Sequence, residues 1–177
     1  MSETMKELVY EPATLTDLDI IADIETQSYH PDEAASKEQI ANRMQYANEC
    51  DPNLFYGAWT LDTNNNNKKD KVAGFVCTTL GSTPLVTDES MKEHDPKGKV
   101  VYLHSVCVNP EIRRQKVATR LMQHWIELLK QSKKYDRIAL ISRENLIGLY
   151  ESVGFKYLQK SEVVHGPDPW FDMVIDL

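Results

Sequence analysis

The sequence predicts a single α/β domain, residues 1–177, built on one mixed sheet with helices on both faces. Three observations predict it. Segments of strand-like and helix-like periodicity follow one another in the order β-α-α-β-β-β-α-β-α-β-β, and such an order places helices on the faces of a sheet. The 177 residues suffice for one domain with a proper core and are too few for two. No internal repeat or linker divides the chain.

The composition is that of an ordinary globular protein, with 41% hydrophobic and 27% charged residues. A net charge of −7 argues against a nucleic-acid binder, because neutralising phosphates requires a basic surface that the short run RRQK does not supply. The acidic balance is compatible with a cationic partner or with simple solubility. No apolar stretch approaches the about 18–20 residues of a membrane-spanning helix, and MSETMKELVYEP lacks the pattern of a signal peptide.

The three cysteines, Cys50, Cys77 and Cys107, show no paired spacing. Because disulfides form in oxidising compartments, this pattern favours a reducing one. We therefore expect a cytoplasmic protein. We also expect a monomer, with neither nucleic acid nor membrane as a partner. No Cys/His/Asp cluster has the spacing of metal ligands, so we expect no metal.

The first elements are a strand and two helices. ELVYEPAT alternates as a strand does. Apolar residues then recur at helical spacing after Thr16, which we expect to cap the first helix. Ser36 has the same position before KEQIANRMQYA and predicts the second helix.

The middle of the chain predicts three strands. LFYGAWTL and KVAGFVCTTL flank the polar hairpin loop DTNNNNKKD. A long connection over residues 81–99 follows, with a short helix expected around residues 88–93; connections of this length are often functional. VVYLHSVCV, stopped by Asn109-Pro110, is the third strand.

The last third predicts two helices and three strands. RIALIS is a buried strand, NLIGLYESV a short helix ended by Gly154, and FKYLQKSEVV and WFDMVIDL a final strand pair. The helix before RIALIS carries one apolar stripe, which we assign to the core: Ala118, Leu121, Met122, Trp125 and Leu129.

Three segments are informative because of their order along the chain: the strand 100–108, the basic turn into a helix at 113–119, and LYESVGF at 149–155. In this order they resemble the GNAT superfamily of acetyl-CoA-dependent N-acetyltransferases. LVTDESMKEHDPKGKVVYLHSVCV and SYHPDEAAS are further similar to segments of the arylalkylamine (serotonin) N-acetyltransferase family, in its fungal or microbial-like members. The resemblance runs from about residue 8 to the C-terminus.

The resemblance implies an acetyl-CoA site where two parallel strands, 100–108 and 137–142, splay apart. The backbone of Val106, Cys107 and Val108 would pair with the pantetheine arm. The following turn would aim its N–H groups at the pyrophosphate, since a helix N-terminus favours anions. Its implied cofactor-binding residues are Arg113, Arg114, Gln115, Lys116, Val117, Ala118 and Thr119.

This turn departs from the family pattern at Lys116, which stands where the first glycine is expected. Glycine there tolerates a left-handed backbone and a close phosphate. Lysine in that conformation costs about 1 kcal/mol. Its ammonium offsets the cost if it lies near the pyrophosphate, as Arg113 and Arg114 also would. Ala118 keeps the second small position.

The resemblance also implies the catalytic residues. An alkylammonium of pKa about 10 must lose a proton before it attacks a thioester, and a histidine is well matched to that task near neutral pH. His104 matches the second histidine of the vertebrate His-x-His pair, while Tyr102 replaces the first and weakens a proton relay. His104 would otherwise be a structural histidine of the strand. Tyr150 matches the tyrosine that protonates or hydrogen-bonds the departing sulfur, or else packs at the rim of its helix.

Glu33 is the second candidate base, because insect relatives use a glutamate in the corresponding acidic loop and burial raises a carboxyl pKa. Asp32 and Glu33 would otherwise attract the cationic amine or solvate a loop. Val106, Ile141 and Tyr150 complete the expected substrate site. An acetyl-cysteine intermediate at Cys107 would require an activated thiolate; strand alternation points Cys107 away from His104, so we expect a packed thiol.

The resemblance therefore implies an acetyltransferase acting on the primary amine of small arylalkylamines such as tryptamine, phenethylamine or serotonin, with acetyl-CoA as cosubstrate. Phe55, Tyr56 and Trp170 are candidates for an aromatic cage around the amine. Polyamine acetylation is the alternative that the acidic charge favours. An inactive CoA-binding or partner-binding module is the alternative from another class; Lys116 supports it, while His104 and Tyr150 argue against it.

Overall fold

The computed structural model describes residues 5–66, 68–112 and 114–177. They form the predicted single mixed sheet, with seven strands in the order β1-β2-β3-β4-β5-β7-β6, together with four α-helices. No helix in these ranges is long and apolar enough to cross a membrane. The elements are β1 Leu8–Pro12, α1 Leu18–Ser28, α2 Lys37–Cys50, β2 Phe55–Asp62, β3 Lys68–Gly81, β4 Val100–Val108, α3 Val117–Ser132, β5 Arg137–Ser142, α4 Ile147–Ser152, β6 Lys156–Lys160 and β7 Phe171–Asp176.

The predicted parallel pair is β4 and β5, and the two strands part along their length. Their ladder joins only Val100–Tyr102 to Arg137–Ala139. Beyond it, β4 stays paired with β3 as far as Val108, and β5 stays paired with β7 as far as Ser142. Each strand therefore leaves one backbone edge open toward the other, and a cleft lies between them.

Helices cover both faces of the sheet, as predicted. On β3, the Cys77 sulfur lies 3.9 Å from the Arg43 guanidinium of α2. Gly74, an odd number of residues earlier, faces the opposite side, where an added Cβ would lie 3.0 Å from Val117 of α3. The same Cβ would lie 2.6 Å from the Cys107 carbonyl oxygen. Glycine at this position thus permits α3 to pack closely beside the cleft.

The apolar stripe of α3 forms part of the core, as its periodicity predicts. Leu121, Met122, Trp125 and Leu129 are at most 1% exposed. Burying each such side chain contributes about 1.5–3 kcal/mol. The Trp125 indole N–H donates to the Asn53 carbonyl at 3.0 Å, so its polar atom is satisfied as well.

The predicted cap of α2 is confirmed, and that of α1 is wrong. The Ser36 hydroxyl accepts from the Gln39 N–H at 3.1 Å, and the Gln39 side chain accepts from the Ser36 N–H at 2.9 Å. Ahead of α1, however, a 3₁₀ turn at Leu15–Asp17 starts at Thr14 rather than at Thr16. The Asp17 carboxylate accepts from the Thr14 N–H at 3.0 Å and closes that turn.

The helix expected over residues 88–93 does not form; the segment consists of turns. One turn does form. The Thr87 N–H donates to the Ser90 hydroxyl at 2.8 Å and the Ser90 N–H donates to the Thr87 hydroxyl at 3.0 Å, which is the reciprocal pattern of a helix start. The Met91 and Glu93 N–H groups donate to the Thr87 and Glu89 carbonyls, but no regular helix follows. At the other end of the chain, β6 ends at Lys160 rather than at Val164, because the Ser161 hydroxyl accepts from the Val163 N–H at 3.1 Å and turns the chain.

Candidate active site

A cavity of about 380 Å³ lies where β4 and β5 separate. α1 and its following loop, α2, β4, the end of β5, α4 and the β6–β7 connection all contribute to its wall. The long connection before β4 contributes as well, through Val86, Asp88, Met91 and Lys92. The polar residues that matter for its chemistry are Glu25, Glu33, Arg43, His104, Arg143 and Tyr150.

His104 is the extra residue of a β-bulge. Cys77 pairs with Ser105 and Thr78 pairs with Leu103, so no residue of β3 lies opposite His104. Bulges re-aim side chains, and they recur beside active sites. The bulge brings Leu103, His104 and Ser105 together into the cavity wall.

The imidazole of His104 is neutral at pH 7. Burial lowers its pKa well below 6.5, and the nearby positive charge of Arg43 lowers it further. Its Nε2 lies 2.7 Å from the Thr79 hydroxyl, and the tautomer decides which of the two atoms donates. His104 therefore meets a ligand as an uncharged hydrogen-bonding group.

Tyr102, the residue in place of the family's first histidine, does not line the cavity. Its hydroxyl donates to the Thr83 carbonyl at 2.8 Å and accepts from the Thr83 N–H at 2.9 Å. Tyr102 thus anchors the connection before β4 and takes no part in a proton relay with His104.

Glu33 lines the cavity as half of an ion pair. Its carboxylate binds the Arg143 guanidinium, and both side chains are about 15% exposed or less. Arg143 also donates to the Asp168 carbonyl at 2.7 Å and lies 3.9 Å above the Trp170 ring. Gly166 lies beside this pair with φ +83°, a left-handed backbone that favours glycine.

The adjacent Asp32 does not line the cavity. Its carboxylate is 70% exposed and lies 3.4 Å from the His30 ring. The helical turn at His30, whose carbonyl accepts from the Glu33 and Ala34 N–H groups, directs the two neighbouring carboxylates differently. Of the aromatic residues considered for an amine cage, Trp170 lines the cavity, whereas Phe55 and Tyr56 do not.

Tyr150 projects from α4 into the cavity and is 8% exposed. Its ring meets the Phe155 ring edge-on at 5.7 Å, which fixes its direction. Burial raises the pKa of the Tyr150 phenol, and the neighbouring Cys107 raises it further. The hydroxyl stays protonated at neutral pH and is a proton donor. Ile141, at the end of β5, lies in the same wall.

The buried carboxylate of Glu25, on α1, lines this cavity and was not among the residues that the sequence predicted. It is 1% exposed. Its oxygens lie 3.8 Å from the Cys107 sulfur and 3.5 Å from the Ala35 nitrogen, and the Ser105 side chain lies within hydrogen-bonding reach. Burial raises the pKa of Glu25. The signal was present, because Glu25 follows Ile21 at i+4 and so lies on the buried face of the helix.

Cys107 is a packed thiol. It is 1% exposed, and burial raises its pKa well above 9.0, with the Glu25 charge adding to the effect. A thiol in this state is a poor nucleophile.

A second depression, of about 510 Å³, lies at the start of α3. Arg113 lies outside the described residues. Lys116 caps α3 with a left-handed backbone, φ 51° and ψ 41°, and Arg114 has φ 59°. The N–H groups of the first turn of α3 have no partner within the helix. Seven of the expected cofactor residues line the depression: Val108, Arg114, Gln115, Lys116, Val117, Ala118 and Thr119.

The side chain of Gln115 holds the start of the chain. Its amide oxygen accepts from the Lys6 N–H at 2.7 Å. Arg120 donates to the Gln115 carbonyl at 3.2 Å and to the Lys6 carbonyl at 2.8 Å. The side-chain oxygen of Gln115 is therefore occupied, and a ligand at this depression would contact the backbone of Gln115 instead.

The open edge of β4 presents Val106 and Val108. The Asn109 N–H donates to the Ala73 carbonyl of β3. Backbone groups alternate along a strand, so those of Cys107 also point to β3, and those of Val106 and Val108 point into the cleft. The Tyr29 hydroxyl lies 3.4 Å from the Val106 carbonyl at that edge.

No group of three or more His, Cys, Asp or Glu side chains in residues 5–66, 68–112 and 114–177 is placed to hold a metal ion.

Two parallel strands that splay apart, followed by a helix whose N-terminus lies beside the cleft, form the arrangement that the sequence resemblance implied for an acetyl-CoA site. The sequence model of the acetyltransferase (GNAT) family matches residues 18–155, and the chain belongs to that family. Among curated proteins, the serotonin N-acetyltransferase of Mesocricetus auratus is similar, with 24% identity over 99 residues. The match covers 56% of this chain and 48% of that protein, about half the length of the relative.

Solved structures share the fold at low sequence identity. The loading GNATL domain of CurA from Lyngbya majuscula superposes with a TM-score of 0.77 at 14% identity, covering 97% of this chain and 98% of that one. The PaiA N-acetyltransferase of Thermoplasma acidophilum, in complex with coenzyme A, gives 0.65 at 17% identity, covering 97% and 99%. The mosquito arylalkylamine N-acetyltransferase-like 5b gives 0.66 at 13% identity, covering 97% and 100%.

Proposed function

We propose that the protein transfers the acetyl group of acetyl-CoA to the primary amine of small arylalkylamines of the tryptamine, phenethylamine or serotonin type. The observation that carries this proposal is the cavity between β4 and β5, in which a buried carboxylate, a protonated tyrosine and an apolar wall meet beside the open edge of β4. Similarity to serotonin N-acetyltransferase supports the same substrate class.

The cofactor site rests on β4 and on the start of α3. The backbone of Val106 and Val108 is available to the pantetheine arm, as an added strand would use it. The first-turn N–H groups of Val117, Ala118 and Thr119 suit the pyrophosphate, because free N–H groups and the helix dipole both favour anions. Leu149 lines the depression at α3, and Tyr150, the next residue, lines the cavity, so α4 connects the two.

Charge balance in the cavity favours one ammonium over several. The acidic lining residues are Glu25, Glu33 and Asp88, and the basic ones are Arg43, Lys92 and Arg143. Glu33 is already neutralised by Arg143. A polyamine would bring further positive charges close to the remaining cations, so this balance disfavours it.

The rest of the wall suits an apolar substrate body. Val86, Met91, Leu103, Ile141, Leu146 and Trp170 surround the polar centre. Pockets of this kind bind a small molecule by burying its apolar part and orienting it through few polar groups. An arylalkylamine has this composition, with one ammonium and one aromatic group.

The chemistry at the cavity needs an acid as well as a base. When the amine nitrogen attacks the thioester carbonyl, the C–S bond breaks and a thiolate departs. The protonated Tyr150 hydroxyl is the group suited to donate to that sulfur. His104, neutral and bound to Thr79, is suited to orient the acetyl group or the amine by a hydrogen bond.

Turnover of a panel of amines tests the proposal. The purified protein is given acetyl-CoA with tryptamine, phenethylamine, spermidine or a lysine peptide, and thiol release is followed. We expect the kcat/KM for the two arylalkylamines to exceed that for spermidine by at least about tenfold, the factor for about 1.4 kcal/mol of transition-state binding. Faster turnover of spermidine would establish the polyamine alternative. Acetyl-CoA binding without thiol release for any amine would establish an inactive binding module.

A further inference from the structure

Glu25 is a buried carboxylate in the cavity that takes part in none of the ion pairs of the described residues. Its position distinguishes it from Glu33, which is bound to Arg143. Through Ser105 it lies next to the His104 bulge on β4. The Arg43 charge lowers the pKa of Glu25, but burial outweighs it and the pKa is raised overall. A buried carboxylate that forms no ion pair costs folding free energy, so an incoming cation gains by pairing with it.

We propose that Glu25 is the base that takes the proton from the substrate ammonium, in place of His104 and Glu33. The inference rests on the proposed function. A proton that moves from an ammonium to Glu25 turns two buried charges into two neutral groups. A proton that moves to His104 instead leaves a cation in the same buried region as Arg43. In a medium of low dielectric the first transfer is favoured and the second is opposed.

None of the ionisable groups around Glu25 can accept the proton in its place. Arg43 of α2 is a permanent cation. Tyr29 at the end of α1, Cys77 of β3 and Cys107 of β4 all feel the Glu25 charge, and burial raises the pKa of each, that of Cys77 to about 11. All three remain protonated at neutral pH and cannot accept a proton. Burial also raises the pKa of Glu25, which strengthens it as a base.

The protons of the reaction balance with these roles. The ammonium gives one proton to Glu25, and the lone pair so formed attacks the thioester carbonyl carbon. A C–N bond forms and the C–S bond breaks. Of the two hydrogens left on nitrogen, one stays on the amide and the other replaces the proton that Tyr150 gives to the departing sulfur. Glu25 returns its proton to solvent once the product leaves.

The pH dependence of kcat/KM for tryptamine tests the proposal. If Glu25 accepts the proton, the wild-type protein binds the ammonium, and kcat/KM is flat from the pKa of Glu25 up to that of the amine, about 10. Glu25→Gln cannot accept a proton and must use the free amine. We expect a loss of about 10²–10³-fold at pH 7, and a rise of about tenfold per pH unit in place of the plateau.

Two further variants separate this role from a structural one. Glu25→Asp keeps the carboxylate, and we expect it to keep the plateau at a reduced rate. Asp23→Asn removes the same charge from the exposed face of α1 and should change neither the rate nor the profile. A plateau in the Glu25→Gln profile would overturn the proposal, as would a sloping profile in Glu25→Asp.

Proton release on binding gives a readout without turnover. Tryptamine is titrated calorimetrically into the protein with CoA at pH 7, in two buffers of different ionisation enthalpy. We expect no net proton release for wild type and about one proton per tryptamine for Glu25→Gln, since only the free amine binds the variant. Equal proton release by the two proteins overturns the role of Glu25 and leaves the proposed function standing. Failure of the wild-type protein both to bind and to acetylate any amine overturns the proposed function, and this inference with it.

Discussion

Glu33 and Arg143 form an ion pair that joins the loop after α1 to the segment after β5. Both side chains line the cavity, and both are largely withdrawn from solvent. The pair thus links two loops that lie far apart in the chain. Because Arg143 binds the Glu33 carboxylate, the second candidate base predicted from the sequence is already part of an ion pair.

Removal of one member of this pair should destabilise the protein more than removal of both. Glu33→Gln and Arg143→Gln each leave a partly buried charge without its partner. In urea unfolding we expect a coupling free energy of about 1–3 kcal/mol between them in a double-mutant cycle. Additive single effects would mean that the ion pair contributes no stability. Lys37→Gln with Asp19→Asn, an exposed pair, is the comparison, with a coupling of about 0.2–1 kcal/mol.

The left-handed backbone of Lys116 should cost stability and serve cofactor binding. Lys116→Gly relieves about 1 kcal/mol of strain, and we expect its Tm to rise by about 2–4 °C. We also expect a higher KM for acetyl-CoA that depends less on salt, because one cation near the pyrophosphate is lost. Lys133, at the other end of α3, has φ 56°. Lys133→Gly should therefore raise Tm without changing KM, and an unchanged KM in Lys116→Gly would remove the charge explanation.

Tyr150→Phe should slow the chemical step. The variant keeps the edge-on ring contact with Phe155 and loses the proton donor to sulfur. We expect kcat to fall by at least about 10²-fold, with the KM for acetyl-CoA little changed. Because burial raises the pKa of the Tyr150 phenol, the wild-type rate should not decline below pH 10 through its ionisation. Tyr157→Phe, at an exposed ring, is the control; equal kcat in the two variants would remove Tyr150 from the chemistry.

His104 should make the protein less stable in mild acid. Burial and Arg43 hold its pKa in the folded state well below 6.5, so the unfolded chain binds the proton more readily. Its contribution is complete above pH 6.5 and is lost as pH falls toward the folded-state pKa. We expect the Tm of His104→Gln to decline less than that of wild type between pH 7 and 5. His30→Gln, at an exposed ring, is the comparison, and parallel declines in all three proteins would contradict the assignment.

Local pattern and order were sufficient to predict most of the fold. Hydrophobic periodicity identified every strand and helix of the sheet, and Ser36 was recognisable as a cap because its partners are three residues away. The cap expected at Thr16 was wrong because Thr14 and Asp17 close the preceding turn instead. The helix expected at residues 88–93 stops after one turn although Thr87 and Ser90 form the bonds of a helix start, so local pattern alone does not decide whether a helix continues.

The sequence alone determined the class of protein, the position of the turn before α3 and the acidic loop, because these depend on neighbours along the chain. Only the tertiary structure decided the state of the ionisable groups. Glu33 was paired by a residue more than a hundred positions away, His104 was turned into the cavity by a bulge against β3, and Glu25 was enclosed by α2 and β4. Desolvation and charge pairing depend on what surrounds a side chain in space, so they arise only when the sheet is assembled.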